Sequence, residues 1–359
     1  MVNYPLKPGY IQESFRKEME NTTNFNYVTD YESDDCDKSN VVKFGAIATP
    51  VVFCVVTFLS LIGNLLVIII LLKYENLKSI TNCFIFNLAL SDLMFTFGLP
   101  FWAYYNSYQW LLGDFTCKAV NFVFYTGFYS SLLFLTVMTI QRYRAVVYPL
   151  SDRGEKRTCF ALCLSVCIWV VSLAAALLST LRSKVQKHYN IFYCHYDNIV
   201  WKRNAAYQQN AFFFLAFGIM CFCYSRILKT VLKSPTSKRI RTVKLIFVIV
   251  VVFVLGWAPY NIRRSVCSLG DIVIFLKTFA HLPPLNECNV SINLDYAYYV
   301  SECVAYSHCC LNPVFYAFVG VKFRKHLTVI FQKIPRPPQA SVEFQRTKMI
   351  VMPSQGSMY

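Results

Sequence analysis

The chain has 359 residues, 56% of them hydrophobic and only 15% charged, with a net charge of +16. A soluble domain carries about 25% charged residues, which excludes a water-soluble enzyme or binding module as the main body. Seven apolar stretches, at 45–72, 82–106, 115–140, 158–181, 205–228, 243–267 and 294–319, reach the length of about 20 residues that crosses a bilayer core. The expected fold class is an all-α membrane protein. A seven-transmembrane helix bundle spans 45–319, with an arm at 1–44, a short amphipathic eighth helix at 320–332 and a flexible tail at 333–359.

The arm comes first. Tyr27-Val-Thr-Asp-Tyr31-Glu-Ser-Asp-Asp-Cys36-Asp37 sets five acids around Tyr31. Tyrosines beside acids are candidates for sulfation, and an anionic arm attracts and steers a basic partner; read as a bare charge run, the segment only solvates. Asn21-Thr-Thr is a glycosylation acceptor, as is Asn289-Val-Ser before the last span. The arm has no apolar stretch of signal-peptide type, so the first span is expected to act as the targeting signal.

Lys and Arg set the orientation. Between Arg226 and Lys244 stand seven basic residues and no acid, and five more, from Lys322 to Arg336, follow the last span. Both segments are expected in the cytoplasm, which places the N-terminus outside and the C-terminus inside. This collar is read as topology and attraction to membrane lipid, with no nucleic acid as partner. Of fifteen Cys, ten sit within spans as small apolar fillers. Cys36, Cys117, Cys194 and Cys288 lie outside and allow three pairings, and Cys267 is read as free. No Cys follows Cys310, so no palmitoylated tail is expected.

Charges inside spans cost roughly 2.5–3.5 kcal/mol each at the helix centre, so each is a functional candidate. Asp92, with Asn64 and Asn312, can form a polar cluster that binds a small cation, or a hydrogen-bond network without one. Glu302 precedes Asn312 by ten residues, about 15 Å of helix rise, at the depth of an outward-facing cavity. Trp257 stands beside Pro259, where a bulky ring near a bend reports cavity occupancy as helix motion; plain core packing is the alternative. Asn312-Pro313, with Tyr316 one turn later, is a second bend. Arg142, at the inner end of the third span, meets an incoming partner or snorkels. No internal repeat favours a transporter. No set of nucleophile, base and metal is visible, so no enzyme is expected.

Asn64, Asp92, Cys117, Arg142, Trp169, Trp257-Ala-Pro259 and Asn312-Pro-Val-Phe-Tyr316, in that order, resemble the rhodopsin-like G-protein-coupled receptors over the whole bundle. Leu99-Pro-Phe-Trp102, Trp110-Leu-Leu-Gly-Asp-Phe-Thr-Cys117, Ser307-His-Cys-Cys310 and Phe318-Val-Gly-Val-Lys-Phe-Arg324 resemble chemokine receptors within that family. Leu72-Lys-Tyr-Glu-Asn-Leu-Lys-Ser-Ile-Thr-Asn82, the Ser237–Phe247 segment, Gly356-Ser-Met-Tyr359 and Ala216 in place of a fifth-span proline are most similar to the XC (lymphotactin) type.

The resemblance implies a plasma-membrane receptor for a small basic chemokine. Tyr27 and Tyr31 would engage the ligand's body. Its flexible end would enter a cavity lined by Trp102, Phe124, Tyr125, Tyr260, Arg264 and Glu302. Bridges would join Cys117 to Cys194 and Cys36 to Cys288. Arg142, Tyr143, Tyr224, Trp257, Pro259, Asn312, Pro313 and Tyr316 would carry the switch to an inhibitory-class G protein, then arrestin, with calcium release and chemotaxis downstream. Asp92 and Asn312 would hold an allosteric sodium ion, with no other cofactor. Three departures stand out. Gln141 replaces the usual Asp before Arg142, Arg144 replaces a usual Leu, and Phe53 and Phe124 replace usual cavity tyrosines. They raise a rival reading, an atypical receptor that internalises ligand without G-protein activation.

Overall fold

Helices that are apolar on nearly every side need lipid on one face and protein on the other. The first helix shows how this chain meets that demand. Ile47, Val51, Val55, Phe58, Ile62, Leu65 and Ile69 are exposed, whereas Phe53, Val56, Ser60, Asn64 and Val67 are buried. Apolar bulk points outward and the polar Ser60 and Asn64 point inward, the reverse of a soluble helix.

A computed structural model describes residues 37–148, 157–188, 190–233, 247, 251, 253–261, 287–319, 323 and 326–328. Its elements run α1 (Ser39–Tyr74), α2 (Ile80–Ser107), α3 (Gly113–Val147), α4 (Arg157–Thr180), β1 (Ser183–His188), β2 (Ile191–Tyr196) and α5 (Ile199–Lys233). They continue as α6 at 253–261, α7 (Glu287–Tyr306) and α8 (His308–Val319). Among the described residues, five helices are long and apolar enough to cross a membrane, α1 to α5. The sixth span is represented by α6 and the seventh by α7 with α8. Most of the expected amphipathic helix lies outside the described residues. His326, from that segment, stacks on Tyr74 at 5.1 Å and meets Glu75 at 3.3 Å.

The helices outrun the apolar stretches that announce them. α1 begins at Ser39, inside the segment assigned to the arm, because its first turns have protein to pack on. Lys38 Nζ pairs with Asp295 on α7 at 2.8 Å, and Phe44 meets Tyr296 edge-on at 5.3 Å. Small residues permit close helix contact. A Cβ on Gly127 of α3 would lie 2.8 Å from both the Phe95 Cα and the Ser91 carbonyl of α2. A Cβ on Gly63 would come within 2.8 Å of the Pro313 ring.

Pro313 lacks the N–H that would bond the carbonyl four residues back. That carbonyl, Cys309 O, instead accepts Asn64 Nδ2 at 2.9 Å and Ser60 Oγ at 3.3 Å. The freed group thus ties α8 to α1. The break in the seventh span falls at Ser307, one turn and a half before the proline.

β1 and β2 form an antiparallel hairpin in which Val185 faces Cys194, and Asn190 adopts φ 61° at its turn. The Cys194–Cys117 disulfide fastens it to the top of α3. Trp110, 1% exposed, packs against that bridge, donates its backbone N–H to the hairpin's Phe192 carbonyl at 3.0 Å, and donates from Nε1 to Gly113 O at 2.9 Å. Replacing Cys194 by Ser is therefore expected to free the hairpin. A native bridge in small secreted domains contributes about 2–5 kcal/mol. Thermal unfolding of the solubilised protein should show Tm lowered by several degrees; an unchanged Tm would contradict this anchoring role.

Candidate functional site

A polar layer crosses the bundle at mid-depth. Asp92, fully buried in α2, accepts Ser131 Oγ of α3 at 2.8 Å and Asn312 Nδ2 of α8 at 2.7 Å. Its backbone carbonyl accepts Thr96 Oγ1 at 2.6 Å, and Thr96 shares a 2.6 Å hydrogen bond with Ser60. Ser60 in turn accepts Asn64 Nδ2 at 3.0 Å. The structure thus brings the expected Asp92 and Asn312 into contact. Asn64 joins them through Ser60 and Thr96. A carboxylate taken from water is tolerated only with such hydrogen-bond donors around it.

An aromatic layer lies one turn nearer the hairpin. Phe95 follows Asp92 by three residues, Phe128 precedes Ser131 by three, and His308 precedes Asn312 by four, so each helix stacks a ring over a polar group. Trp257 of α6, 1% exposed, lies at the centre. Its ring is 4.5 Å from Phe128, 5.4 Å from His308, 5.6 Å from Tyr260, 5.8 Å from Tyr306 and 6.2 Å from Phe95. His308 is fixed by its Nδ1, 2.8 Å from Ala305 O. Movement of Trp257 therefore cannot leave α2, α3 or the seventh span untouched, because close-packed interiors do not deform continuously.

Above this layer stand the expected cavity residues. Phe124 stacks on Phe95 at 4.3 Å and meets Trp102 at 5.9 Å, Tyr125 at 5.6 Å and Tyr306 at 5.3 Å. Tyr260 stacks on Tyr298 at 5.8 Å, and the Tyr298 hydroxyl is 3.5 Å from Glu302 Oε1. Glu302, half-buried, lies one turn outward of Tyr306 on α7. The structure therefore gathers Trp102, Phe124, Tyr125, Tyr260 and Glu302 above one aromatic floor. Tyr27, Tyr31, Arg264, Cys36 and Asn21 lie outside the described residues. Cys288 is disulfide-bonded. Asn289 is exposed, as a glycan acceptor must be.

At the opposite end, Arg142 Nη2 donates to Thr81 Oγ1 of α2 at 3.2 Å. The neighbouring Gln141 is half-buried. Tyr143 meets Tyr148 at 5.8 Å and Phe222 of α5 at 5.9 Å. Tyr224 is buried beside Phe247 at 5.4 Å, with its hydroxyl near Thr139 and Arg142. Pro259 is exposed on α6, whereas Pro313 is buried. The Tyr316 backbone belongs to α8, and its side chain lies outside the described residues.

Sequence reasoning missed Ser60, Thr96, Ser131 and His308. It also missed Gln208 of α5, whose Nε2 donates to Tyr129 OH at 3.2 Å and to Ala175 O of α4 at 2.8 Å. That amide joins three helices, about two turns along α5 from Ala216.

A buried carboxylate bonded to the seventh span, an aromatic layer around Trp257 and a bridged hairpin lie in sequence between Trp102 at one end of the bundle and Arg142 at the other. Residues 63–316 match the family model of the 7 transmembrane receptor (rhodopsin family). Chemokine XC receptor 1 of Homo sapiens is 42% identical over 328 residues, covering 90% of this chain and 93% of its own. The Mus musculus Chemokine XC receptor 1 is 41% identical over 316 residues, covering 88% and 92%. The Homo sapiens C-C chemokine receptor type 1 is 36% identical over 324 residues, covering 88% of each chain. The chain belongs to the chemokine receptors of the rhodopsin family.

The resemblance extends to the XC type, as Ala216 and the segment after α1 lead one to expect. A chemokine receptor is no enzyme; its partners are a chemokine and a G protein. The receptor is accordingly a multi-pass protein of the plasma membrane.

Proposed function

We propose that this receptor binds a small basic XC-class chemokine and signals through an inhibitory-class G protein to calcium release and chemotaxis. The observation that carries the ligand class is 42% identity to an XC receptor across 90% of the chain, ahead of the 36% seen with a C-C receptor. The N-terminus is placed outside and the C-terminus in the cytoplasm. The Cys117–Cys194 bridge supports this, because disulfides persist in oxidising compartments.

The anionic arm, sulfated at Tyr27 and Tyr31, takes the ligand's body first. The ligand's flexible end then enters between Trp102, Tyr125, Arg264 and Glu302. A ligand shifts a two-state equilibrium only by binding one state better. Rings displaced above Trp257 supply that difference, and the shift reaches Arg142 through the Asp92–Asn312 layer. The resting restraint on Arg142 is weaker than usual here, since Gln141 offers a neutral carbonyl where an Asp would form a charge-assisted bond. Arrestin and anionic lipid are the further partners proposed at the basic inner face. Asp92 and Ser131 present oxygens of the kind a hard cation takes, so an allosteric sodium ion is proposed at Asp92 and Asn312.

Cys288 is proposed to pair with Cys36. Lys38, two residues after Cys36, is bound to Asp295, two turns after Cys288 on α7. That contact draws the chain to the outer end of α7.

Glu302→Gln is expected to weaken signalling potency about tenfold or more, because a carboxylate in a poorly solvated cavity attracts a cationic ligand terminus strongly. Surface binding should change less, as arm contacts persist. Dose–response curves at matched surface density check this, and equal potency would reduce Glu302 to packing. The ligand class is tested by displacement binding on intact cells with representative XC-, CC- and CXC-class chemokines. Saturable, high-affinity binding confined to the XC class is the expected result. Preference for another class would overturn the assignment.

A further inference from the structure

We propose that the outer hairpin is a docking surface for a sulfated polysaccharide. Segment 182–203 carries five cations, Arg182, Lys184, Lys187, Lys202 and Arg203, against one acid, Asp197. Lys184 pairs with that acid. Two of the others are held by rings. The Arg182 guanidinium lies 4.3 Å over Trp201, and Lys187 Nζ lies 5.6 Å from the centre of the Phe192 ring. An aromatic face orients a cation through its quadrupole and adds no formal negative charge. Arg182 and Lys187 are thus positioned and exposed while keeping their full charge.

The placement adds to the argument. Arg182 stands in the turn that leads into β1, and Lys187 lies five residues on, within β1 opposite Phe192. The Cys117–Cys194 bridge and Trp110 hold the hairpin on α3 through β2, on the oxidising side of the membrane. A basic chemokine gains nothing from these cations, since like charges brought together are unfavourable. Two separated, fixed cations suit a linear polymer bearing sulfates at intervals, and the Arg182 guanidinium matches sulfate oxygens with paired N–H donors. Such a chain, anionic throughout, can lie between the hairpin and a basic ligand and attract both. The inference rests on the outward orientation of the hairpin and on no particular chemokine.

The test uses intact cells that lack their own sulfated polysaccharides and express the full chain. A fluorescent heparin fragment of defined length is added outside, where it cannot reach the basic inner segments. Saturable, salt-sensitive binding is expected for the unaltered receptor. The Arg182→Gln/Lys187→Gln double variant should bind roughly 20-fold more weakly, on the order of fivefold per cation removed. Lys187→Arg should retain binding. Chemokine binding measured on the same variants reports folding and keeps this outcome separate from the ligand assignment. Equal fragment affinity in the double variant and the unaltered receptor would overturn the proposal. So would a receptor that binds no fragment until Tyr27→Phe/Tyr31→Phe is introduced, because the arm would then be the occupant.

Discussion

Asp92→Ala is expected to abolish chemokine-driven signalling while leaving ligand binding at the surface largely intact. Removing the carboxylate strands two buried donors, Ser131 Oγ and Asn312 Nδ2, that now lie 2.8 and 2.7 Å from it. Each buried group left without a partner costs about 1–3 kcal/mol. The loss is also directional. Asn312 stands beside Pro313, whose freed partner carbonyl is tied to α1. Cutting the Asp92 contact separates α2 from the one segment of the seventh span that is built to bend. Asp92→Asn should be the milder change, keeping one acceptor but turning an amide N–H₂ toward a donor. Concentration–response curves for G-protein activation, with surface binding measured in parallel, check the claim. Normal signalling by Asp92→Ala would mean that the layer only packs.

Gly127→Val is expected to prevent delivery of the receptor to the cell surface. A Cβ there would meet Phe95 Cα and Ser91 O at 2.8 Å, and both belong to the backbone of α2. A backbone cannot swing aside as a side chain can, so α2 and α3 must separate. Overpacking of a core commonly costs about 1–3 kcal/mol, occasionally more, and here it also disturbs Asp92 and Ser131 on the same two helices. Gly218→Val provides the contrast, since nothing lies within 4 Å of a Cβ at that position. Surface immunostaining should show little Gly127→Val and near-normal Gly218→Val. Equal amounts of both would contradict the α2–α3 packing.

Asp92, Glu302 and Asn312 were legible in the sequence because each interrupts an apolar run, and an interruption in lipid needs a reason; Trp257 was legible because it stands beside Pro259. Ser131, Ser60 and Thr96 were not. A hydroxyl within a span ordinarily bonds back to the carbonyl four residues earlier, as Ser172 does to Ile168 and Thr136 to Leu132. Only the neighbouring helix decides that Ser131 turns to Asp92 instead. His308 was read as part of a family-like run, and its place beneath Trp257 depends on the angle between α6 and α8. The β1–β2 hairpin was read only as a basic, aromatic segment. Its strands form because the bridge to Cys117 and the Trp110 contacts hold them, long-range constraints that local propensity does not carry. The helix ends were misplaced for a similar reason. Hydropathy marks the width of the bilayer, whereas Lys38–Asp295 extends helical structure beyond it.

The central claim is that chemokine bound outside drives G-protein activation inside, despite Gln141 and Arg144. The most direct measurement is nucleotide exchange on a purified inhibitory-class heterotrimer, with the full-length receptor in lipid nanodiscs and an XC-class chemokine added. The account predicts exchange that rises saturably with chemokine and is lost in Asp92→Ala. Saturable chemokine binding with no exchange at any concentration would contradict it.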